Sequence, residues 1–289
     1  MIIFNIIFGM TCYPLLLMMY FFLCNAKDRN SWCFGETLGR EWKKEPEIEA
    51  IDVEYRRNLK NTMIAFAIMP VVLFFIKHMS ICFTFWMLWV LSICFFPMYW
   101  YAKANKQVKN LKDKRGWNLG EDDRYWYWGI LYYNPKDKRF MVENRMGTGT
   151  AVNMATGAGK GMCIFAALCL LLIPISCVWM IMIDFTPISS KVENDVIVCT
   201  HLSVEYEIPL EDIENYTVIT ELPEMTKVTG NGMDHVISGR YEIYREGMFE
   251  TFLNPQNHLF IKIETENEMY YISGSDDAET QNIIDELEK

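Results

Sequence analysis

The stretch GTGTAVNMATGAGKG, Gly147 to Gly161, has the residue types of a phosphate-cradling loop. In such a loop glycines let backbone N–H groups wrap the phosphates, a lysine neutralises them, and a Ser or Thr hydroxyl holds magnesium. With Gly159-Lys160 as the central pair, the leading glycine falls on Met154 and the hydroxyl on Gly161. Neither residue can serve. A dinucleotide fingerprint fails as well, because Val152 and Asn153 stand where a third glycine is needed after Gly147 and Gly149. The stretch therefore reads as a flexible, small-residue connector leading into an apolar helix.

Other reactive residues are sparse. HExxH, GxSxG and CxxC patterns are absent, and the nine cysteines suggest neither a zinc site nor a disulfide framework. Cys199 and His201 are two apart, hence on one face of a strand, and with His235 or His258 would make a metal set. Core or surface positions are the usual fate of such residues. Glu121, Asp122 and Asp123 read as a solvated turn. No catalytic residue, metal ligand or cofactor is assigned, and the chain is expected not to be an enzyme.

The elements that carry these residues divide sharply by charge. Residues 1–24, 62–76, 78–102 and 161–183 contain no Asp, Glu, Lys or Arg. About 20 apolar residues cross a hydrocarbon core, so four membrane helices are expected. The first lacks a basic n-region and a small-residue cleavage site, and reads as a true span. Pro14, Pro70, Pro97 and Pro174 fall one per span, as ordinary kinks or as hinges. Asn5, Thr84 and Ser92 suit bonds between helices, and His78 reads as a turn element of the helical hairpin. Without charge deep in any span, a transporter is disfavoured.

Eight Lys/Arg lie in 25–60 and twelve in 103–160. Basic loops stay inside, so these segments are expected to be cytoplasmic and both termini extracytoplasmic. Residues 186–289 hold 22 acidic and 6 basic side chains. That balance disfavours nucleic acid and an anionic leaflet as partners. Lipid bilayer and a peptide or protein partner remain, with homo-oligomerisation left open.

In the first loop Ile48, Ile51, Tyr55 and Leu59 have helical spacing behind Pro46, predicting an amphipathic helix that runs into the second span. In the second, aromatic Tyr125–Tyr133 and apolar Phe140–Val142 flank Asn134-Pro135-Lys136-Asp137, predicting a β-hairpin across that turn. Its Trp126, Trp128 and Tyr132 are expected to pack on a short helix or lie at the membrane interface. The tail alternates as strands do in VEYEI and LFIKIETE. Seven strands are expected: Val196–Thr200, Val204–Ile208, Ile213–Thr220, Arg240–Tyr244, Met248–Leu253, Leu259–Glu264 and Glu268–Ser273. A capping-box helix follows from Asp276. Met225–His235 reads as a long glycine-containing loop, and Met225, Lys227, Asn231, Met233 and His235 are the candidate binding residues.

Seven strands and a final helix resemble the pleckstrin-homology-like order, and PISSKVENDVIVCTHLSVEYEIPLEDI is similar to bacterial domains of that kind. Trp117, Gly129, Tyr132, Tyr133, Asn134, Pro135, Asp137, Arg139, Gly147, Gly149 and Asn153 resemble a small domain of unknown function. That domain is found in Gram-positive membrane proteins related to the immunity and signalling protein of the sporulation-delaying toxin system. FGETLGREWKK fits the same group, with Gly39 where a proline is usual. The resemblance covers most of residues 31–289.

The expected fold is an α+β integral membrane protein. Its parts are helix 1 (1–24), a cytoplasmic loop (25–60), a helical hairpin (61–102), a cytoplasmic small domain (103–160), helix 4 (161–185), and an extracytoplasmic helix-capped barrel (186–289). The resemblance implies a membrane sensor, immunity or signalling protein. The alternatives are a transporter or channel accessory subunit, or a metal-dependent membrane enzyme.

Overall fold

The structure is a computed structural model. It describes residues 2–289 except 27, 30, 118, 119, 148, 203, 245 and 246, with only the backbone of 28 and 29. The chain divides into two units: residues 1–77 with 82–175, and residues 78–81 with 176–289.

In the first unit, α1 (Ile2–Asn25) leads to three two-residue strands, β1 (Asp28–Arg29), β2 (Trp32–Cys33) and β3 (Glu36–Thr37), paired in that order. The predicted amphipathic helix is α2 (Pro46–Ile68), with Pro46 in its first turn. Its buried stripe is Ile48, Asp52, Tyr55, Leu59, Met63 and Phe66, a spacing of three and four that puts one face inward. The Tyr55 hydroxyl donates to the Leu23 carbonyl (2.8 Å), tying α2 to α1. The helix continues as a 3₁₀ segment, Met69–Phe75, with Pro70 near its start, so this proline marks a change of helix type rather than a kink within α2. Asn5 bonds as expected: its amide donates to the Ile76 carbonyl (3.0 Å) and its oxygen faces the Cys82 thiol (3.3 Å).

α3 (Met79–Arg115) runs through the apolar span and then through the basic segment, which is thus helix rather than loop. Beyond it lie β4 (Trp126–Tyr127), β5 (Leu131–Tyr132), β6 (Met141–Glu143), β7 (Thr150–Val152) and α4 (Gly157–Phe185). The predicted hairpin across Asn134–Asp137 does not form. Instead β4 pairs with β5 and β6 with β7, and the Asn134–Asp137 turn joins the two hairpins. Trp128 (φ 57°) and Gly129 (φ 69°) both turn left-handed, which reverses the chain earlier than the proline turn would. Among the described residues four helical stretches are long and apolar enough to cross a membrane: Ile2–Asn25, Pro46–Phe75, Met79–Arg115 and Gly157–Phe185.

Among the described residues the second unit shows two sheets and no closed barrel, with nine strands where seven are expected. β8 (Ser189–Glu193), β9 (Val196–His201) and β10 (Val204–Pro209) form an antiparallel meander. Asn194 (φ 52°) and Asp195 (φ 60°) make the two-residue turn between β8 and β9, the left-handed pair that suits strand twist. β11 (Ile213–Ile219), β12 (Thr226–Gly232), β13 (Ile237–Ile243), β14 (Gly247–Leu253), β15 (Phe260–Thr265) and β16 (Met269–Ile272) form the larger sheet, in the order β11-β15-β16-β14-β13-β12. β8 and β12 escape the sequence pattern because neither SSKVE nor TKVTGNG alternates apolar with polar. Main-chain pairing to a neighbour makes them strands.

Ile197, Ile208, Phe252, Ile261, Ile263 and Ile272 are buried together with Ile283 and Ile284 of α5 (Asp277–Leu287). Asp276 caps α5 by accepting from the Glu279 N–H (2.8 Å). Glu279 in turn accepts from the Ser189 hydroxyl (3.0 Å) and the Ser190 N–H (3.2 Å), fastening the helix to β8.

Candidate functional site

The five candidate binding residues do not share a loop. Lys227 and Asn231 lie on β12, an edge strand of the six-stranded sheet that is exposed along most of its length. Just before it, Met225 packs partly against the Tyr241–Phe249–Tyr271 cluster. The strand bulges between Lys227 and Thr229, so Val228 has no partner on β13. Gly230 and Gly239 face each other at φ 118° and 112°, and a Cβ on Gly230 would stand 2.1 Å from the Ser238 carbonyl oxygen. These glycines therefore serve close backbone approach, not loop mobility. Met233 closes the β12–β13 turn by donating its N–H to the Val236 carbonyl (2.8 Å).

His235 belongs to a different constellation. Its N–H donates to Asp184 Oδ1 (3.2 Å), and its Nδ1 lies 3.1 Å from the same oxygen. Asp184 is fully buried in the last turn of α4 and also accepts from the Ser80 hydroxyl. The His235 ring stacks on His78 (5.2 Å, 24°), and Phe185 lies 5.3 Å from His78 and 5.0 Å from His235. His78 Nδ1 is 4.0 Å from Asp234 Oδ2, which accepts from the Met79 N–H (2.6 Å). Sequence reading missed Ser80, Asp184 and Asp234. The available signal was Asp184, the one carboxylate of α4, in its last turn, since a carboxylate at a C-terminal end opposes the helix dipole.

Cys199 and His201 do not make a site. Cys199 is enclosed by the aliphatic core, and burial pushes its thiol up to about 12. His201 is buried with Nε2 3.2 Å from the Thr186 carbonyl, and burial pulls it below the usual imidazole range. Among the described residues no group of three or more His, Cys, Asp or Glu stands in metal-binding arrangement.

The residues of the small domain of the first unit do converge. Asn153 is fully buried and acts as a four-way clamp. Its oxygen accepts from the N–H groups of Asn134 (3.0 Å) and Ala155 (3.1 Å), and its amide donates to the carbonyls of Asn134 (3.0 Å) and Asp137 (2.8 Å). The Asn134 amide donates to the Tyr132 hydroxyl (2.9 Å), and that hydroxyl donates to Asp137 (3.2 Å). Pro135 follows Asn134 in this turn, where the Asn134 side chain also accepts from the Lys136 N–H (2.9 Å). Arg139 grips Asp137 and holds its carboxyl well below the usual range. Tyr133 ties its N–H to the Tyr125 carbonyl (2.9 Å), and Trp117 stacks on Trp42 (5.2 Å, 6°). Gly129 meets Gly35 backbone to backbone, with no room for a Cβ on either.

This geometry resolves the glycine-rich stretch. Gly147 (φ 72°) and Gly149 (φ 103°) turn the β6–β7 hairpin. Thr156 accepts from the Gly159 N–H (3.1 Å) as an N-cap, and Lys160 lies within α4. The expected flexible connector is thus a strand, a cap and a helix start.

Beneath the hairpins sits an ionic cluster. Asp123, from the triplet read as a solvated turn, is buried. It accepts from Lys112, Arg145, the Thr37 hydroxyl (2.8 Å) and the Thr37 N–H (3.1 Å). Arg145 also lies over the rings of Trp126 (5.0 Å) and Trp32 (5.5 Å). Trp128, by contrast, is exposed. Burial raises Asp123, but the bonds from Lys112, Thr37 and Arg145 outweigh it and hold the carboxyl below its usual range. Glu36 is as deeply buried, with long contacts to Lys112 (3.4 Å) and Asn105 (3.5 Å). Burial pushes its carboxyl up, helped by the charge of Asp123 and opposed by Lys112. The cluster floors a cleft of about 300 Å³ whose rim carries Lys109, Asp113, Glu121 and Arg124.

Residues 190–288 match the family model of a bacterial PH domain. The C-terminal region carries such a domain. Residues 135–160 match a family of unknown function, DUF5808, and this stretch holds Pro135, Asp137, the β6–β7 hairpin and the Asn153 clamp. No curated protein and no solved structure matches the chain. Together with the four apolar helices, the PH domain describes a membrane protein.

Proposed function

We propose that this chain is a non-enzymatic membrane receptor whose PH domain binds a cationic, extended peptide segment along the edge of β12. The observation that carries the reading is a free sheet edge within a strongly acidic region. β12 ends the six-stranded sheet and is mostly exposed, while residues 186–289 hold 22 acidic against 6 basic side chains. An unpaired edge offers main-chain donors and acceptors to an added strand, and the acidic surroundings steer a basic partner to it. The charge asymmetry of the loops supports an extracytoplasmic position, from which the domain would meet such a partner from outside the cell. Immunity against a toxin peptide, or signalling of its presence, is the role that the sequence resemblance adds.

The test uses the full chain in zwitterionic lipid nanodiscs with a lysine-rich ten-residue peptide. Binding should weaken steeply with salt and be lost in Val228→Pro. Val228 has no register partner on β13, and proline there removes a main-chain N–H from the edge strand. Salt-independent binding, or full affinity in the proline variant, refutes the edge site. Sidedness is read separately by labelling Tyr244→Cys, at a residue 83% exposed, in intact cells. Labelling only after lysis would place the domain inside.

A further inference from the structure

We infer that His78 and His235, with Asp184 and Asp234, form a proton-operated latch holding the β12–β13 turn against the first turn of α3 and the last turn of α4. The latch stands apart from edge binding and needs no peptide.

All of its parts lie within the second unit. When both imidazoles are neutral, the site holds two carboxylates and no cation, because among the described residues no Lys or Arg pairs with Asp184 or Asp234. Neutral hydrogen bonds and ring contacts then close it: the Ser80 hydroxyl, the His235 N–H and, in its Nδ1–H tautomer, the His235 ring to Asp184, and the Met79 N–H to Asp234. Each proton taken up by an imidazole adds a positive charge beside a carboxylate. The attractive distances are 3.1 Å for His235–Asp184 and 4.0 Å for His78–Asp234, whereas the two rings are 5.2 Å apart. Coulomb energy falls with distance, so two near attractions outweigh one farther repulsion. Each imidazole proton strengthens the contact to its own carboxyl group, and the latch tightens in mild acid.

The groups facing the pair from each packed element are few. α4 supplies Asp184 and Phe185, the start of α3 supplies Ser80, and the turn supplies Asp234. Gln256 donates to the Asp234 carbonyl (2.8 Å), and His201 bonds Thr186 just beyond α4. Imidazole is the side chain that ordinarily changes charge between about pH 5 and 8.

Two backbone amides report the latch directly, because His235 N–H and Met79 N–H both donate to its carboxylates. The full chain in phosphatidylcholine nanodiscs is followed by hydrogen exchange at pH 8 and pH 5.5, corrected for intrinsic rates. Protection of both amides should rise about fivefold in acid, the scale of a partly exposed ion pair. The chain has four histidines, which makes the assignment tractable. His258→Gln should respond as the parent does, while the double variant His78→Gln, His235→Gln should be flat. Asp234→Asn keeps an acceptor for Met79 and should respond less than the parent, giving a second reading should the double variant unfold. Equal protection at the two pH values, looser amides in acid, or a full response in either the double or the Asp234 variant overturns the latch.

Discussion

In the small domain of the first unit the longest strands, β6 and β7, have three residues; in the PH domain β8 to β15 have five to seven. Strands of two or three residues make few ladder bonds and cannot order a chain by themselves. The small domain is held instead by side chains bonding backbone and each other: the Asn153 clamp, the Tyr132–Asn134–Asp137 turn and the Asp123 cluster. The PH domain rests on long ladders and an aliphatic core. One region is therefore sensitive to loss of single polar atoms, and the other to loss of apolar volume.

The largest effect should come from Asp123→Ala. It leaves Arg145 buried without its carboxylate and Lys112 with the longer contact to Glu36, a loss of about 3–5 kcal/mol for a broken buried pair. Tryptophan fluorescence during denaturation reports the first unit, because eight of the nine tryptophans lie between residues 32 and 128 and none follows Trp179. The tryptophan midpoint should fall while exchange protection in β13–β15 holds. A parallel fall in both would erase the comparison.

Ile261→Ala tests the opposite side. Ile261 is fully buried in the PH core, and the cavity should cost about 3 kcal/mol. Exchange in β15 and β16 should accelerate with the tryptophan signal unmoved.

The smallest effect is expected from Glu36→Gln, which sharpens the account of the ionic cluster. Because Glu36 is raised in the folded state, its contribution is full below the ordinary glutamate value, about 4.3, and is lost as pH rises through its folded value. Asp123, being lowered, contributes above its ordinary value and loses that contribution as pH falls through its folded one. Gln at position 36 mimics the neutral carboxyl, so stability at pH 7 should match or exceed the parent by up to about 1 kcal/mol. A large loss would mean that Glu36 serves as a charged partner of Lys112.

Much of this architecture was legible in the order of residues. Ile48, Tyr55 and Leu59 announced a helical stripe, the uncharged runs announced spans, and VEYEI and LFIKIETE announced β10 and β15. The legible elements are those whose burial partner is lipid or one uniform core, since a repeating environment leaves a repeating pattern. TKVTGNG reads as loop because its order comes from hydrogen bonds to β13 and not from side chains it buries. Asn134-Pro135 has strong turn chemistry and predicts a hairpin there, yet the left-handed Trp128 and Gly129 reverse the chain first.

By itself the sequence determined what must meet lipid, what must stay in water, and which runs extend or coil, because those are local consequences of side-chain polarity and period. It did not determine which charges meet. Asp123 joins Lys112, Arg145 and Thr37, and Asp184 joins Ser80 and His235, across 11 to 104 positions of chain. Only the tertiary structure decided these pairings, since an ionic bond needs a distance of a few ångströms and no short-range sequence pattern encodes it.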